Sequence, residues 1–591
     1  MYLRTIRVPS SNGSVNEYVR VVESYRQDGK VKQRTIADLG RKDLLTELLP
    51  KLQRLLLGET PAAASADIAI GQALTWGPVL VVRTLFEQLG LWEILDRHLR
   101  PLRANERRLP TARIAPADRA FALIANRLIR PRSEHGLAGW LETDYVCDRQ
   151  GRRLTPSWHK HGRVQVHHQQ LAAWYSTLDR LSAAKEAIEQ ALYQRLRDLF
   201  SLQPELVLYD ITSVYFEGAG PEGFAKHGYS RDGKKQNVQV VVGLVMVQGW
   251  PIAHYVWEGN RLDASTVREM LQDVQRRFRF GRIVLVGDRG MVNVANLKAL
   301  CEDELKHGYL LGLKRRRNPD LDRWLDGLRE DGWQDCPMGI NVQEKQHNRP
   351  RTRVQEVPSG DEEQRVFVID SDERRAYEQG KRAQSMARAR VKLEALQRRV
   401  AARRLVDPTK IGAAAERALR AHHGYRYFDW RLRDGVFEFF EHPVHLEREK
   451  RLEGKYVIAT SEKDWGPAEA VATYKQLLEV ENGFRALKDV LWVRPIYHRV
   501  ESRVRAHIFV AALALLVRTM LKRQLDEHGV DLSPTAAMQA VETIRHVTFQ
   551  VNDVARSGVS SPSPRANDVL RALGITNLRP PATPEGDREA V

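Results

Sequence analysis

The sequence predicts a multi-domain α/β protein with a mixed β-sheet at its centre. Its 591 residues exceed what one hydrophobic core usually organises, which favours about three or four domains. Between residues 204 and 317, apolar β-rich runs alternate with helical patterns, as in the crossover units of a sheet. Two runs, 238–247 and 252–257, are separated too briefly for a crossover, so they predict an antiparallel hairpin within that sheet.

The composition favours a nucleic-acid partner in a reducing compartment. The formal net charge is +18 and is spread along the chain, and neutralising phosphates with such charge supplies much nucleic-acid affinity. The three cysteines are far apart and predict neither a disulfide framework nor a zinc site. With no signal-like start and no apolar run near the ~20 residues that span a bilayer, a cytoplasmic protein without a membrane partner is expected. The longest such run, 508–517, predicts a buried core helix.

Two N-terminal regions precede the central pattern. Residues 1–48 predict a small β unit, because β-rich runs flank a turn at Asp28 and Gly29. Residues 49–203 are expected to be mainly helical and carry arginines such as Arg127 and Arg130. This basic helical region is a candidate for binding nucleic acid, and a scaffold of packed helices is the open alternative.

The central pattern resembles a ribonuclease-H-like core. A strand ending at Asp210 is followed by the hairpin, a helix at 264–278, a strand ending at Asp288, a helix at 294–305 and a strand at 309–313. Residues 318–455 then interrupt the pattern with strands and a very basic helical run. That run either follows phosphates or forms a solvated helix hairpin.

Three carboxylates stand where an acidic metal site would need them. Asp210 and Asp288 each end an apolar strand, and strand ends at one sheet edge are where ligand sites collect. Glu481 lies in a helical stretch at the margin of its apolar stripe, close enough to lean toward those strand ends. Carboxylate oxygens suit hard divalent cations. Taken singly, each residue has an ordinary interpretation as a turn residue or a surface ion pair, and Glu479 is the competing glutamate.

The same helix carries a recognisable spacing. Tyr474, Glu481 and Lys488 are seven residues apart and would share one helical stripe. They match three of four positions in the Y-x2-R-x3-E-x6-K signature, with Leu477 replacing the arginine. With the motifs around Asp210 and Asp288, the chain resembles DDE-type insertion-sequence transposases of the Tyr-Arg-Glu-Lys group.

That resemblance implies a DNA-cutting and DNA-joining enzyme. Asp210, Asp288 and Glu481 would ligate two Mg²⁺ ions, or Mn²⁺ in their place, for attack on a phosphodiester. Tyr474 and Lys488 would hold phosphates, with Arg485 as the candidate replacement for the missing arginine. Double-stranded DNA, as element ends and as target, and a homodimeric synaptic complex are the implied partners.

The resemblance also assigns the domains. They are a β unit at 1–48, a DNA-end-binding helical region at 49–203, a catalytic core at 204–317 and 456–550, an insertion at 318–455 and a disordered tail at 551–591. Two alternatives stay open, namely a structure-selective nuclease on the same core and a domesticated, inactive DNA-binding protein.

Overall fold

The computed structural model divides the chain into two compact units. One comprises Met1–Ala73 and His546–Ser560, and the other comprises Leu74–Arg545 and Ser561–Val591. The structure describes residues 1–9, 15–45, 49, 53, 68–99, 114–155, 163–288, 306–315, 318–336, 351–551 and 554–582.

The smaller unit is built from β-sheets. Strands β1 (Tyr2–Pro9), β2 (Val15–Gln27) and β3 (Lys30–Arg41) form an antiparallel sheet in that order. Asp28 and Gly29 close the β2–β3 hairpin with φ values of 55° and 73°, a backbone that aspartate and glycine tolerate. The predicted hairpin is therefore confirmed. A second sheet orders β17 (Val554–Val559), β16 (Arg545–Val551) and β4 (Ile68–Thr75), and β4 was missed in the region expected to be helical.

The larger unit begins with a helical layer. Its helices are α1 (Gly77–Gln88), α2 (Leu91–His98), α3 (Pro116–Ile129), α4 (Leu137–Thr143) and α5 (Arg163–Phe200). Prolines at the first turns of α1 and α3 are favourable there, since those positions need no backbone N–H donor. The apolar face of α3 is fully buried, as the helical periodicity predicts.

A nine-stranded mixed sheet forms the centre of this unit. The strands are β5 (Leu206–Tyr215), β6 (Gln239–Val247), β7 (Trp250–Glu258), β8 (Val284–Gly287), β9 (Gly308–Leu313), β10 (Gln334–Asp335), β11 (Thr352–Val357), β12 (Arg365–Ser371) and β15 (Lys455–Thr460). Their order in the sheet is β10-β11-β12-β15-β9-β8-β5-β6-β7.

Five of these strands give the ribonuclease-H-like topology. The hairpin β6–β7 pairs antiparallel beside β5, while β8 and β9 follow on the other side of β5 and run parallel to it. Helix α6 (Asp263–Phe278) leads from β7 to β8. The predicted hairpin, helix and strands are confirmed, and the helix expected at 294–305 lies outside the described residues.

The insertion extends the sheet beyond β9 and adds a helical subdomain. Strand β15 pairs antiparallel with β9, and β12, β11 and β10 follow outward. The added elements are α7 (Leu321–Asp326), α8 (Asp372–Ala401), α9 (Pro408–Ala421), β13 (Phe428–Arg433), β14 (Val436–Glu441) and α10 (Pro443–Leu452). The basic run is α8, whose Leu393 and Leu396 pack in a core with Ile411 of α9, so it is half of a helix hairpin.

The helix expected to carry the whole signature is not continuous. It consists of α11 (Pro467–Lys475), α12 (Leu477–Arg485) and a π-helical turn at Ala486–Val490. At Gln476 the chain tightens, because Gln476 N–H donates to Thr473 and Glu479 N–H donates to Gln476. Tyr474, Glu481 and Lys488 therefore lie on three consecutive helical segments and not on one regular α-helix, and the stripe that they would share stays a prediction.

Helix α13 (Glu501–Glu527) holds the longest apolar run. Among the described residues it is the one helix long and apolar enough to cross a membrane, yet 78% of its most apolar window is buried inside the fold. This burial confirms the predicted core helix.

The C-terminal residues are more ordered than their composition suggested. Helix α14 (Pro534–Val541) precedes β16, and β17 and α15 (Pro564–Ala572) lie within the tail expected to be disordered. Ser563 accepts a hydrogen bond from the Ala566 N–H, and Pro564 occupies the first turn, so the Ser-Pro pair is a helix start. Val569 and Leu570 are buried. The expectation of disorder is wrong for residues 554–582.

Candidate active site

Asp210 and Asp288 lie side by side on neighbouring parallel strands. In the β5–β8 pairing, Leu208 is opposite Val286, and each aspartate follows two residues later along its own strand. The shared register places both carboxylates at the same level of the sheet. Asp210 is half-buried, whereas Asp288, just beyond the end of β8, is exposed.

Glu481 is positioned by the packing of α12 on β6. An added Cβ at Gly483 would lie 3.0 Å from Leu244 Cδ2 and 3.6 Å from Met246 Sδ, so glycine allows a close approach of helix to sheet. Val480 and Phe484 are buried beside it, and Glu481 stays exposed.

Glu479, the competing glutamate, lies beside the β6–β7 turn. An added Cβ at Gly249, in the β6–β7 turn, would lie 3.3 Å from Glu479 Oε2, and the Arg523 guanidinium acts on the same carboxylate. Burial raises the pKa of Glu479 against that charge. Glu479 is therefore associated with the β6–β7 turn and Arg523.

The three predicted carboxylates interact electrostatically. Burial raises the pKa of Asp210 to about 7, and the charges of Asp288 and Glu481 add to this rise. The backbone N–H of Ile211 and the charge of Arg231 oppose it. The ionised form of Asp210 is thus disfavoured mainly by burial and further by two neighbouring carboxylates, and a bound cation would favour that form.

Tyr474 reaches the carboxylates from α11. Its hydroxyl lies 3.4 Å from Asp288 Oδ1 and occupies the space where Gly312 of β9 lacks a side chain. An added Cβ at Gly312 would overlap the tyrosine hydroxyl and lie 3.3 Å from Asp288 Oδ1. The glycine is therefore part of the geometry that brings Tyr474 to Asp288.

Lys488 and Arg485, the other two residues predicted to contact DNA, lie in different environments. Lys488 Nζ lies 2.9 Å from Asp232 Oδ1, and Arg494 pairs with the same oxygen. Burial lowers the pKa of Lys488, opposed by Asp232 and reinforced by Arg494 and Arg231. Arg485 is exposed at the end of α12.

The sequence reasoning missed Arg231 and Asp232. Both lie in the β5–β6 loop, residues 216–238, which has no apolar periodicity and therefore gave no signal. Arg231 N–H donates to Ser213 Oγ at 2.9 Å, which fixes it beside β5 three residues beyond Asp210. The basic run at 230–235, which holds Arg231, Lys234 and Lys235, was the available clue.

The donor set fits divalent cations. Asp210, Asp288 and Glu481 offer oxygen ligands only, which is the preference of Mg²⁺. Burial raises the pKa of Asp210, and the charges of Asp288 and Glu481 add to the rise. Their oxygens do not all lie within 4.8 Å of one another, so the three side chains as they stand do not form a closed ligand set for one ion.

A second cluster, Glu134 with His498 and His507, has ligand atoms within 4.8 Å of one another. Arg127 donates to His507 Nδ1 at 3.0 Å, and His507 Nε2 donates to the Val493 carbonyl at 3.1 Å. Both imidazole nitrogens are thus engaged and a guanidinium occupies the site, so we interpret this cluster as a support for the segment after α12.

The strand order and the placement of acidic residues define the class of ribonuclease-H-like proteins. Within that class the chain belongs to the DDE transposases, because a family model described as "Transposase DDE domain" matches residues 201–517. A second model, "IS1634 family transposase, N-terminal domain", matches residues 3–66. The resemblance to DDE-type insertion-sequence transposases is therefore confirmed, and the protein is a transposase that acts on DNA.

Two further comparisons complete this result. No curated protein matches the chain. Among solved structures, it is similar to the piggyBac transposase synaptic complex with hairpin DNA, with 9% identity and a TM-score of 0.34 over 80% of this chain and 82% of that one.

Proposed function

We propose that this transposase cuts and joins DNA by metal-dependent phosphoryl transfer at Asp210, Asp288 and Glu481. The observation that carries the proposal is that Asp210 and Asp288 follow opposed residues of two neighbouring parallel strands. Burial raises the pKa of Asp210 to about 7, and the charges of Asp288 and Glu481 add to this rise. A protein that only binds DNA gains nothing from clustered carboxylates, which repel phosphate and each other.

Each residue of the candidate site has a separate role in this chemistry. Asp210 and Asp288, at one level of the sheet, and Glu481, on α12, would hold two Mg²⁺ or Mn²⁺ ions. Metal ions bound there would supply activation of a water or a 3′-hydroxyl and stabilisation of charge on the phosphate. Tyr474 orients the Asp288 carboxylate through its hydroxyl, and Lys488 supplies positive charge for a neighbouring phosphate.

The partners proposed are double-stranded DNA and a second protomer. The net charge of +18 favours phosphate binding, and joining two element ends requires that two active sites be brought together. We assign end binding to residues 49–203, after the β unit at 1–48, and catalysis to 204–317 with 456–550 around the insertion 318–455.

The test is excision and reinsertion of a marker flanked by the DNA ends that border this gene. Wild type is compared with Glu481→Gln and with Glu479→Gln as a matched control. We expect excision and insertion by wild type and Glu479→Gln, and loss of both by Glu481→Gln with DNA binding retained. Equal activity of Glu481→Gln and wild type would contradict the assignment.

The same experiment separates the two alternatives. Cleavage without joining would identify a nuclease, because hydrolysis uses water as the nucleophile and transfers no DNA end to a target. Binding without any Mg²⁺-dependent nicking of plasmid DNA would identify a domesticated binding protein. Cross-linking on paired DNA ends then tests the proposed homodimer.

A further inference from the structure

We propose that Asp232 occupies a binding site for a DNA phosphate, made by Lys488 and Arg494, and is displaced when the strand binds. The inference rests on the proposed function, since it supplies the DNA contact beside the carboxylates. Asp232 would then be a stand-in for the phosphate within the protein.

The first argument is how one carboxylate oxygen is shared. Asp232 Oδ1 pairs with Lys488 Nζ at 2.9 Å and with Arg494, while Asp232 Oδ2 is buried without a hydrogen-bond partner. Two cations therefore meet a single anionic oxygen. A phosphodiester offers two non-bridging oxygens to such a pair, whereas leaving a carboxylate oxygen buried and unbonded is costly.

The second argument is that the backbone carrying Arg494 is held in place without Asp232. Ile496 N–H donates to the Tyr215 carbonyl at 3.0 Å, and Glu217 N–H donates to the Ile496 carbonyl at 2.9 Å. These bonds join the segment carrying Arg494 to the end of β5. Arg127 supports the same segment by donating to the Trp492 carbonyl at 3.2 Å. Removing Asp232 would therefore leave these backbone contacts in place.

The third argument is location. Arg231, adjacent to Asp232, donates its backbone N–H to Ser213, three residues beyond Asp210 on β5, and Asp232 pairs with Lys488 and Arg494. The cationic pair is therefore tied to the strand that carries Asp210. A strand whose scissile phosphate lies at the carboxylates needs positive charge for a neighbouring phosphate.

The test compares Asp232→Asn with Asp489→Asn. Both substitutions add one positive charge and remove a carboxylate that contacts Arg494, but only Asp232 also contacts Lys488. Binding of a fluorescent 30-base-pair duplex of arbitrary sequence is measured in EDTA over a range of salt. Without metal there is no catalysis, so failure of the proposed chemistry does not affect the result.

We expect Asp232→Asn to bind the duplex about five times more tightly, with a salt dependence steeper by about one phosphate contact. Asp489→Asn should change affinity less than about twofold, because an exposed ion pair contributes little. Equal affinities for the two variants, or weaker binding by Asp232→Asn, would overturn the proposal.

Thermal melting with inorganic phosphate provides the second measurement. Phosphate should raise the melting temperature of Asp232→Asn and leave wild type and Asp489→Asn nearly unchanged, since only the first variant has the site vacated. Stabilisation by phosphate without tighter duplex binding would mean a small-anion site and overturn the assignment to DNA. A variant that fails to fold even in phosphate would show that Asp232 is structural.

Discussion

Tyr474 places its hydroxyl over Gly312, in the space that any other residue of β9 would fill. The same hydroxyl lies 3.4 Å from Asp288 Oδ1, so a missing side chain on one strand permits a contact with the strand end beside it. Positioning of the proposed metal ligand thus depends on a glycine 24 positions away in the sequence.

Gly312→Ala is expected to destabilise the protein by about 1–3 kcal/mol, because the new methyl group overlaps the tyrosine hydroxyl. It should also reduce Mg²⁺-dependent nicking. Tyr474→Phe in the same chain removes the overlapping oxygen and should recover part of the stability without the activity. Urea unfolding of the single and double variants measures the coupling, and strictly additive effects would contradict the contact.

The pH dependence of stability follows from Asp210. Its pKa is about 7 in the fold against 3.8 for an ordinary aspartate, so the folded protein holds this proton more tightly. Stability from this group is therefore greatest below pH 4 and is lost as the pH rises through 7, by at most about 4 kcal/mol before solvent screening. Asp210→Asn should remove this pH-dependent loss of stability, because asparagine does not ionise.

Thermal melting in EDTA at pH 5 and pH 8 measures the effect as the difference between wild type and Asp210→Asn. Adding Mg²⁺ at pH 8 should raise the melting temperature of wild type alone, because a bound cation stabilises the ionised carboxylate. Parallel melting curves for the two proteins across this range would exclude the raised pKa.

The sequence was informative wherever local patterns reflect burial. The apolar runs of β5, β6 and β8 are buried strands, and their order gave the core topology. The break at Gln476 was not predictable, because periodicity does not reveal where hydrogen bonds tighten to the i−3 carbonyl. The ordered tail was misjudged because Ser563 and Pro564 counted as disorder-promoting residues when they begin a helix.

In the candidate site too, some residues follow from local sequence patterns and others depend on tertiary contacts. Asp210 and Asp288 follow hydrophobic strands, and their proximity follows from parallel pairing. Arg231 and Asp232 lie in a loop whose path depends on tertiary contacts such as that with Ser213. Helical spacing therefore indicated Arg485 as the cation, and it contained no signal for Arg231 in the β5–β6 loop.

Arg231→Gln is expected to reduce nicking by about tenfold or more, since a fixed positive charge beside the reacting phosphate is lost. Because Arg231 lowers the pKa of Asp210, its removal should also move the acid limb of the pH–rate profile to higher pH. Lys235→Gln, an equal charge change in the same loop, should leave that limb unmoved. Arg485→Gln tests the alternative, and a larger effect there would favour the signature-helix arginine.

The last prediction concerns a buried ion network beneath the sheet. Arg277 on α6 donates to Glu189 Oε2 at 2.6 Å and to Asp273 Oδ2 at 2.6 Å, and all three groups are largely buried. Although burial alone would raise the pKa of Glu189, the charges of Lys185 and Arg277 and the hydrogen bond with His254 hold it low. Glu189 therefore stays ionised inside the fold and depends on its cations.

Arg277→Met should cost about 3–5 kcal/mol, because it leaves buried carboxylates without their main partner. Arg276→Met is the matched control: its side chain is 66% exposed and its ion pairs are at the surface, so a cost of at most about 1 kcal/mol is expected. Chemical unfolding of both variants at pH 7 measures the difference. Similar costs would mean that the charge of Lys185 and the hydrogen bond with His254 suffice to stabilise ionised Glu189, and that the guanidinium contributes through packing alone.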